Sequence, residues 1–260
     1  VRPRKKSTST GADPPVEANL VHLKKAVAET GAELRIAFDG DADRIGAIDE
    51  NGTVVWGDYS VLIYGREILT RKPGATFIGE VKCWQLMYDP LPKLGASAII
   101  YKTGHTLIKA RMKDENAELT GEMSGHMFFK DRYYRFDDAL YAACRLIEIV
   151  AASDGPLSKQ TAGLPVMVNT PQIRLGTPGD HIQFEVVERV LRHFEGKREI
   201  VAVDGARILF RQGWGLVRAS NTQPVLVMRF EAPNAELLAE YRAEMETAVS
   251  ASKAEALAAK

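Results

Sequence analysis

Cysteine is nearly absent. The two thiols in 260 residues, Cys83 and Cys144, have no C-x-x-C spacing, which excludes a disulfide-stapled secreted fold and a zinc knuckle. Both sit among apolar neighbours and are expected buried and reduced in a cytoplasmic protein, with a catalytic thiol left open. Net charge is lacking too: 34 Lys and Arg balance 34 Asp and Glu, removing the electrostatic case for nucleic acid or an acidic membrane. No apolar run approaches the roughly eighteen residues of a transmembrane helix. The N-terminus carries no apolar signal-peptide core, and no internal repeat recurs at fixed period. What is left is the composition of an ordinary soluble enzyme, long enough for one large domain or two to three smaller ones.

Val1 to Pro15 is basic, then Ser/Thr-rich, then proline-containing; without an apolar period it reads as poorly ordered or foreign to the fold. A helix is predicted over Glu17 to Glu29, with Leu20, Leu23, Ala26 and Val27 on one face and Gly31 as its stop. Short strands are expected at Leu34–Phe38 and Ile45–Ile48, a hairpin turn at Asn51-Gly52, and a second helix over Asp58 to Thr70. Strand-like Thr76–Val81 and Ser97–Tyr101 flank a helical segment, Ala117–Thr120 is strand-like, and Asp137 to Ala152 is a long helix. Ser153-Asp154-Gly155-Pro156 has linker composition. Beyond it a helix at His181–Phe194, short strands at 200–203, 206–210, 215–219 and 225–231, and a helix from Asn234 are expected. The last helix packs through Leu237, Leu238, Tyr241, Met245 and Val249. The fold class is therefore α/β with mixed sheets, followed by a C-terminal α+β domain with an antiparallel sheet.

The densest chemistry lies in Phe38-Asp39-Gly40-Asp41-Ala42-Asp43-Arg44. Three carboxylates at alternate positions repel unless a cation sits among them, so Asp39, Asp41 and Asp43 read as metal ligands at a strand end. An EF-hand loop would use the same three positions, with Glu50 as its twelfth ligand, but its sixth position needs Gly and is Arg44. A dehalogenase-type phosphatase would use Asp39 as nucleophile, yet its pattern expects Thr or Val where Asp43 stands. A solvated acidic turn is the remaining reading. Mg²⁺ suits the three carboxylates, which leave its coordination sphere open for a phosphate oxygen. Arg44 beside them is a charge-assisted phosphate donor or a salt bridge back to an aspartate.

Two more polar loops follow: Gly121-Glu122-Met123-Ser124-Gly125-His126 and Arg218-Ala219-Ser220-Asn221-Thr222-Gln223-Pro224. An extended backbone would put Glu122 and Ser124 on one face, placed to grip adjacent hydroxyls. Arg218, Ser220, Asn221 and Thr222 suit a dianionic phosphate. In this order, the three loops resemble the α-D-phosphohexomutase superfamily, and specifically its phosphomannomutase/phosphoglucomutase branch, from about Asp13 to the C-terminal helix.

The resemblance implies Mg²⁺ at the first loop, sugar hydroxyls at the second and the non-reacting substrate phosphate at the third. Met123 resembles the branch acting on both mannose and glucose phosphates. Arg44, Lys82 and His105 match active-site positions, with Lys82 stabilising the transferring phosphoryl charge and His105 moving the hydroxyl proton. His126 is expected to hydrogen-bond the substrate or its own loop; His22, His181 and His193 are assigned nothing. The implied domains are 1–54, the C-terminal half of a second domain carrying the metal loop; 55–164, a sugar-recognition third domain; and 165–260, a phosphate-binding fourth. The implied reaction interconverts hexose 1- and 6-phosphates through a phosphoserine and a bisphosphate, with glucose 1,6-bisphosphate as activator. The family's Thr-Ala-Ser-His-Asn-Pro phosphoserine loop is absent, and Ser7-Thr8-Ser9-Thr10 does not replace it. This chain is thus expected to be an inactive C-terminal fragment whose incomplete domain is covered by the missing segment or a second chain; the alternative is a non-catalytic sugar-phosphate-binding module.

Overall fold

Helix, hairpin and helix follow one another because the turn residues stand where the backbone needs them. The computed structural model describes residues 13–14, 16–179 and 181–258; the 1–12 segment, including Ser7 to Thr10, lies outside the described residues. The chain divides into two compact units, residues 1–99 with 104–163 and residues 100–103 with 164–260.

In the first unit a 3₁₀ turn at Glu17–Leu20 leads into α1 (Val21–Thr30). Gly31, at φ 62°, caps α1 by donating its N–H to the Val27 carbonyl at 3.0 Å. Strands β1 (Leu34–Phe38), β2 (Ile45–Asp49) and β3 (Val54–Val55) form an antiparallel sheet in that order. Phe38 pairs with Ile45, so residues 39–44 are the hairpin connection. The Asp49 carboxylate closes the next turn by accepting the N–H groups of Asn51 (2.9 Å) and Thr53 (2.8 Å). Leu20 and Val27 bury against Ile48.

The chain continues through α2 (Gly57–Arg71), β4 (Thr76–Glu80), α3 (Gln85–Tyr88), α4 (Pro90–Lys93) and β5 (Ser97–Tyr101). Then come α5 (His105–Asp114), β6 (Leu119–Gly121), β7 (Met127–Phe129), α6 (Ala139–Ala152) and α7 (Ser158–Thr161). The sheet runs β5-β4-β6-β7, with β4 parallel to β6 and β6 antiparallel to β7. Helix α5 is absent from the sequence reading because it is mostly polar, burying only Ile108 and Met112 one turn apart. Asp137 does not begin α6: Asp138 caps it, accepting the Tyr141 N–H at 2.9 Å. The linker expected at Ser153–Pro156 stays inside the unit, since Leu157 is buried and bonded to the Glu33 carbonyl at 3.3 Å, while the Ser158 hydroxyl donates to Glu50. Cys83 is buried as expected, but Cys144 is exposed, because α6 turns Ala142, Ala143 and Leu146 inward and Cys144 outward.

The second unit is an antiparallel sheet under two helices. Its strands are β8 (Val168–Asn169), β9 (Ile173–Gly176), β10 (Glu199–Val201), β11 (Ala206–Phe210), β12 (Gly213–Ala219) and β13 (Val225–Ala232). The order is β10-β11-β12-β13-β8, with β9 also on β13. Helices α8 (Ile182–Phe194) and α9 (Ala235–Ala258) supply Val186, Val190, Tyr241, Met245 and Val249 to a core shared with Ile208, Val217, Met228 and Phe230. Strand residues alternating with this core point to the other face. There Arg207 lies 3.9 Å over the Trp214 ring, Arg229 lies 5.7 Å from it, and the indole N–H donates to Glu231 at 2.9 Å. Among the described residues, no helix is long and apolar enough to cross a membrane.

An ion network ties α2 and α6 to the end of β7. Fully buried Asp131 accepts Arg71 at 2.8 Å and Arg145 at 3.0 Å, with Lys72 at 3.2 Å. Burial works against its charge, and the hydrogen bonds from Arg71 and Lys72 overcome this, holding the carboxyl well below the usual range. Asp131→Ala removes the one carboxylate shared by Arg71, Lys72 and buried Arg145, leaving Arg145 Nη2 with Glu67 alone at 2.7 Å, and should cost about 3 kcal/mol in denaturant unfolding at pH 7. Because the folded-state pKa is depressed, this stabilisation is present above about pH 4 and lost as pH falls toward the folded value. The gap between wild type and variant should therefore narrow at pH 3; an unchanged gap would refute the assignment.

Candidate active site

Asp39, Asp41 and Asp43 do converge: each brings a carboxylate oxygen to within 4.8 Å of the others. The hairpin is shaped by Asp39, whose Oδ1 accepts the N–H groups of Asp43 and Arg44, both at 3.1 Å. Ala42, at φ 60°, takes the left-handed turn between Asp41 and Asp43. Arg44 Nε donates to Asp39 Oδ2 at 2.6 Å and Nη1 to Asp13 at 2.6 Å, while Asp43 Oδ1 stands 3.7 Å from Nε. The guanidinium thus neutralises part of the aspartate charge. Asp39 stays below its ordinary pKa despite burial, through hydrogen bonds with Asp43 and Arg44. Asp43 is pushed up to about 6 by burial and by Asp39 beside it.

The Gly121 to His126 loop sits directly on this hairpin. The Ile45 N–H donates to the Gly125 carbonyl at 3.1 Å, and Arg44 pairs with His126 as an antiparallel bridge. Gly125 has φ 98°, and a Cβ there would stand 2.3 Å from the Ile45 carbonyl oxygen; a Cβ on Gly57 would meet the Glu122 carbonyl oxygen at 2.2 Å. The loop is a tight turn rather than the extended segment expected, closed by the Gly125 N–H on the Glu122 carbonyl at 3.0 Å. As a result Ser124 donates to the Glu122 carboxylate at 3.1 Å, and the Gly104 N–H occupies its other oxygen at 3.1 Å. Burial and nearby Glu80 raise the Glu122 pKa.

Buried Glu80 was not singled out from sequence, and nothing in its strand distinguishes it. It accepts the Met123 N–H at 3.1 Å and holds Lys82 Nζ at 3.2 Å, placing that predicted catalytic amine at the end of β4. Asp137 was read only as the start of a helix. It pairs with Phe128 as a bridge, and its Oδ2 lies 2.7 Å from His126 Nδ1. Although burial disfavours the imidazolium, Asp137 raises the His126 pKa. His105 is exposed at the first position of α5, its ring stacked 5.8 Å from that of His126.

In the second unit Arg218 emerges from β12 and is held by Asp204, at 2.9 Å through Nε and 3.4 Å through Nη2. Asp204 stands in the turn between β10 and β11 beside Gly205, whose φ is 93°. Ser220 is buried; its Oγ accepts the Thr222 N–H at 3.4 Å, while Asn221 and Thr222 are exposed. The structure therefore gathers Asp39, Asp41, Asp43, Arg44, Glu122, Ser124 and His126 in one unit, and Arg218, Ser220, Asn221 and Thr222 in the other.

An aspartate hairpin bonded to a Glu-x-Ser turn on a mixed α/β sheet, with an antiparallel domain bearing an Arg/Ser/Asn/Thr loop, defines a modular protein of the phosphohexomutase class. Residues 56–167 match the family model for phosphoglucomutase/phosphomannomutase alpha/beta/alpha domain III, 182–248 that for the C-terminal domain, and 4–52 that for alpha/beta/alpha domain II. A phosphoglucomutase of Neisseria gonorrhoeae is 43% identical over 222 residues, 85% of this chain and 48% of that protein. A phosphomannomutase/phosphoglucomutase of Pseudomonas aeruginosa strain PAO1 is 40% identical over 227 residues, 87% and 49%. The crystal structure of a phosphoglucomutase/phosphomannomutase family protein from Burkholderia thailandensis superposes with a TM-score of 0.86 at 38% identity, covering 93% of this chain and 52% of that one. The chain belongs to the phosphoglucomutase/phosphomannomutase family and spans about half the length of the curated relatives it matches.

The junction of the two loops should hinge on Gly125. Gly125→Ala adds a Cβ against the Ile45 carbonyl at a left-handed backbone position, so it should lower unfolding stability by about 2 kcal/mol or more. Thermal melts of the two proteins measure this directly, and equal midpoints would contradict the close packing.

Proposed function

We propose that this chain supplies the metal loop, the sugar-recognition loop and the phosphate loop of a cytoplasmic phosphohexomutase that interconverts the 1- and 6-phosphates of glucose and mannose. The observation that carries this reading is the convergence of three aspartates in a hairpin bonded to the Glu122–Ser124 turn. Their donor set fits Mg²⁺: all ligands are hard oxygens, and Asp43 Oδ1 is shielded from solvent without a hydrogen-bond partner. Bound by Asp39, Asp41 and Asp43, that ion would neutralise charge on a phosphoryl oxygen.

The remaining roles fall to the chain's own groups. Arg44, anchored by Asp39 and Asp13, keeps a guanidinium beside the carboxylates for the transferring phosphoryl group. Lys82, fixed by Glu80, adds a second positive charge. His105 moves the hydroxyl proton. Glu122 and Ser124 orient sugar hydroxyls, with His126 steadying their loop through Asp137. Arg218, Ser220, Asn221 and Thr222 hold the phosphate that does not react, so that remote binding positions the reacting end. On this reading residues 1–54, 55–164 and 165–260 form half of a second domain, a third and a fourth.

Transfer between two hydroxyls of one sugar needs a temporary phosphoryl acceptor. None of the 260 residues forms a Thr-Ala-Ser-His-Asn-Pro loop, so the phosphoserine is proposed to come from polypeptide outside them, with glucose 1,6-bisphosphate priming it.

Two measurements test this. Arg218→Ala should weaken glucose 1-phosphate binding roughly tenfold to a hundredfold, the loss of a charge-assisted contact. An unchanged dissociation constant puts the phosphate elsewhere. In a coupled mutase assay with Mg²⁺ and glucose 1,6-bisphosphate, the 260-residue chain should read background and gain turnover when a segment bearing the serine loop is joined to it. A plain sugar-phosphate-binding module would gain none. Turnover by the chain alone that vanishes in Ser124→Ala would make Ser124 the nucleophile and overturn the assignment.

A further inference from the structure

Helix α6 is apolar on both of its sides. Arg145 and Glu148 are its only charged residues, and Arg145 is turned inward. One side packs Ala142, Ala143 and Leu146 into the unit, while the other carries Leu140, Cys144 and Ile147 at i, i+4 and i+7. Leu140 is 56% exposed and Ile147 52%, and Cys144 is exposed between them. A helix with two apolar sides belongs in an interior, and this one is too short to find it in a membrane.

The same exposure runs through the loop before the helix. Tyr134 is 76% exposed and Phe136 54%, on a backbone that holds Arg132 and Arg135 in left-handed conformations (φ 61° and 63°), which L-residues adopt at a cost. Four of the twelve exposed large apolar side chains among the described residues thus fall between 134 and 147, a concentration rather than the usual scatter. The strip begins at the candidate active site. Phe136 precedes Asp137, which holds His126, and Lys109 lies 5.4 Å over the Phe136 ring, one turn beyond His105 on α5. Lys109 has only that ring as a partner and Arg135 Nε donates to nothing, so among the described residues the positive charge at this end is uncompensated. Inward, α6 rests on β1 and β2, and β1 is the edge of its sheet among the described residues, its five residues all half-buried.

We propose that the strip from Tyr134 to Ile147 is the docking face for the polypeptide that brings the phosphoryl acceptor to this site. Three features select that partner. The strip starts beside His105 and His126, where an acceptor has to be presented; the uncompensated cations there complement a phosphoserine; and relatives 43% and 40% identical carry about as much polypeptide again outside the matched region. A second copy of this chain would bring the same positive end and satisfies neither of the first two. The partner's identity rests on the mutase reading, whereas the need for a cover rests on the helix itself.

Cys144 lies within the strip and Cys83 is buried, so thiol alkylation reads the face directly. N-ethylmaleimide should label Cys144 of the folded 260-residue chain and spare Cys83. Once the chain is joined to a segment bearing the serine loop, Cys144 should label at least about tenfold more slowly, being reached only by transient opening. Ile147→Lys sets a charge in the face, where interface cores exclude it. In the joined protein it should restore fast labelling and lower turnover, while the melting midpoint of the 260-residue chain stays within about 2 °C. Turnover gained with Cys144 still fully reactive would overturn the docking face and leave the mutase reading intact. Protection without turnover would refute the mutase reading and keep the face. Labelling of the 260-residue chain alone that slows as its concentration rises would assign the strip to a second copy and overturn the choice of partner.

Discussion

Crowded negative charge is the constraint that organises the first unit. Asp39, Asp43 and Asp137 lie around one hairpin, with Glu80 and Glu122 behind the neighbouring turn, and carboxylates this close cannot all ionise unaided. Each positive group nearby answers a particular acid: Arg44 holds Asp39 and Asp13, Lys82 holds Glu80, and His126 holds Asp137. The loops are rigid partly because these pairs are, and each cation is fixed in place by the acids it serves.

Backbone proximity does the rest. Two loops about eighty residues apart in the chain touch main chain to main chain, which glycine at 125 permits, and glycine at 57 lets the start of α2 pack against the same turn. Side-chain contacts between the loops would tolerate small slips, whereas a backbone bridge fixes register. The carboxylates of the aspartate hairpin and of the Glu122 turn are thereby set relative to each other by hydrogen bonds rather than by packing alone. The second unit follows another logic: its Arg218–Pro224 loop hangs from two long paired strands, with Asp204 holding Arg218 in the position its strand dictates.

The fold was largely legible because its signals are local. Gly31 ends a helix, Asn51-Gly52 turns a hairpin, and the spacing of Tyr241, Met245 and Val249 marks a buried helical face. Alternate spacing likewise exposed the three aspartates. What escaped depends on partners distant in sequence. Asp137 gains meaning only from His126 across a bridge, Glu80 only from Lys82 and the Met123 amide, and Asp204 only from Arg218. Strands β8 and β9 are too short to show a period and exist by pairing with β13. The Glu122 turn was misjudged as extended because its closure depends on the left-handed geometry of Gly125.

The stack on the far face of the antiparallel sheet gives that domain its own optical signature. The chain has three tryptophans, and Trp56 and Trp84 belong to the first unit. Trp214 has a guanidinium on its ring and a carboxylate on its indole nitrogen, with no solvent reaching it. Cations and polarised N–H groups at such range perturb indole emission, so fluorescence from this one side chain follows the melting of the C-terminal domain, and the other two follow the remainder.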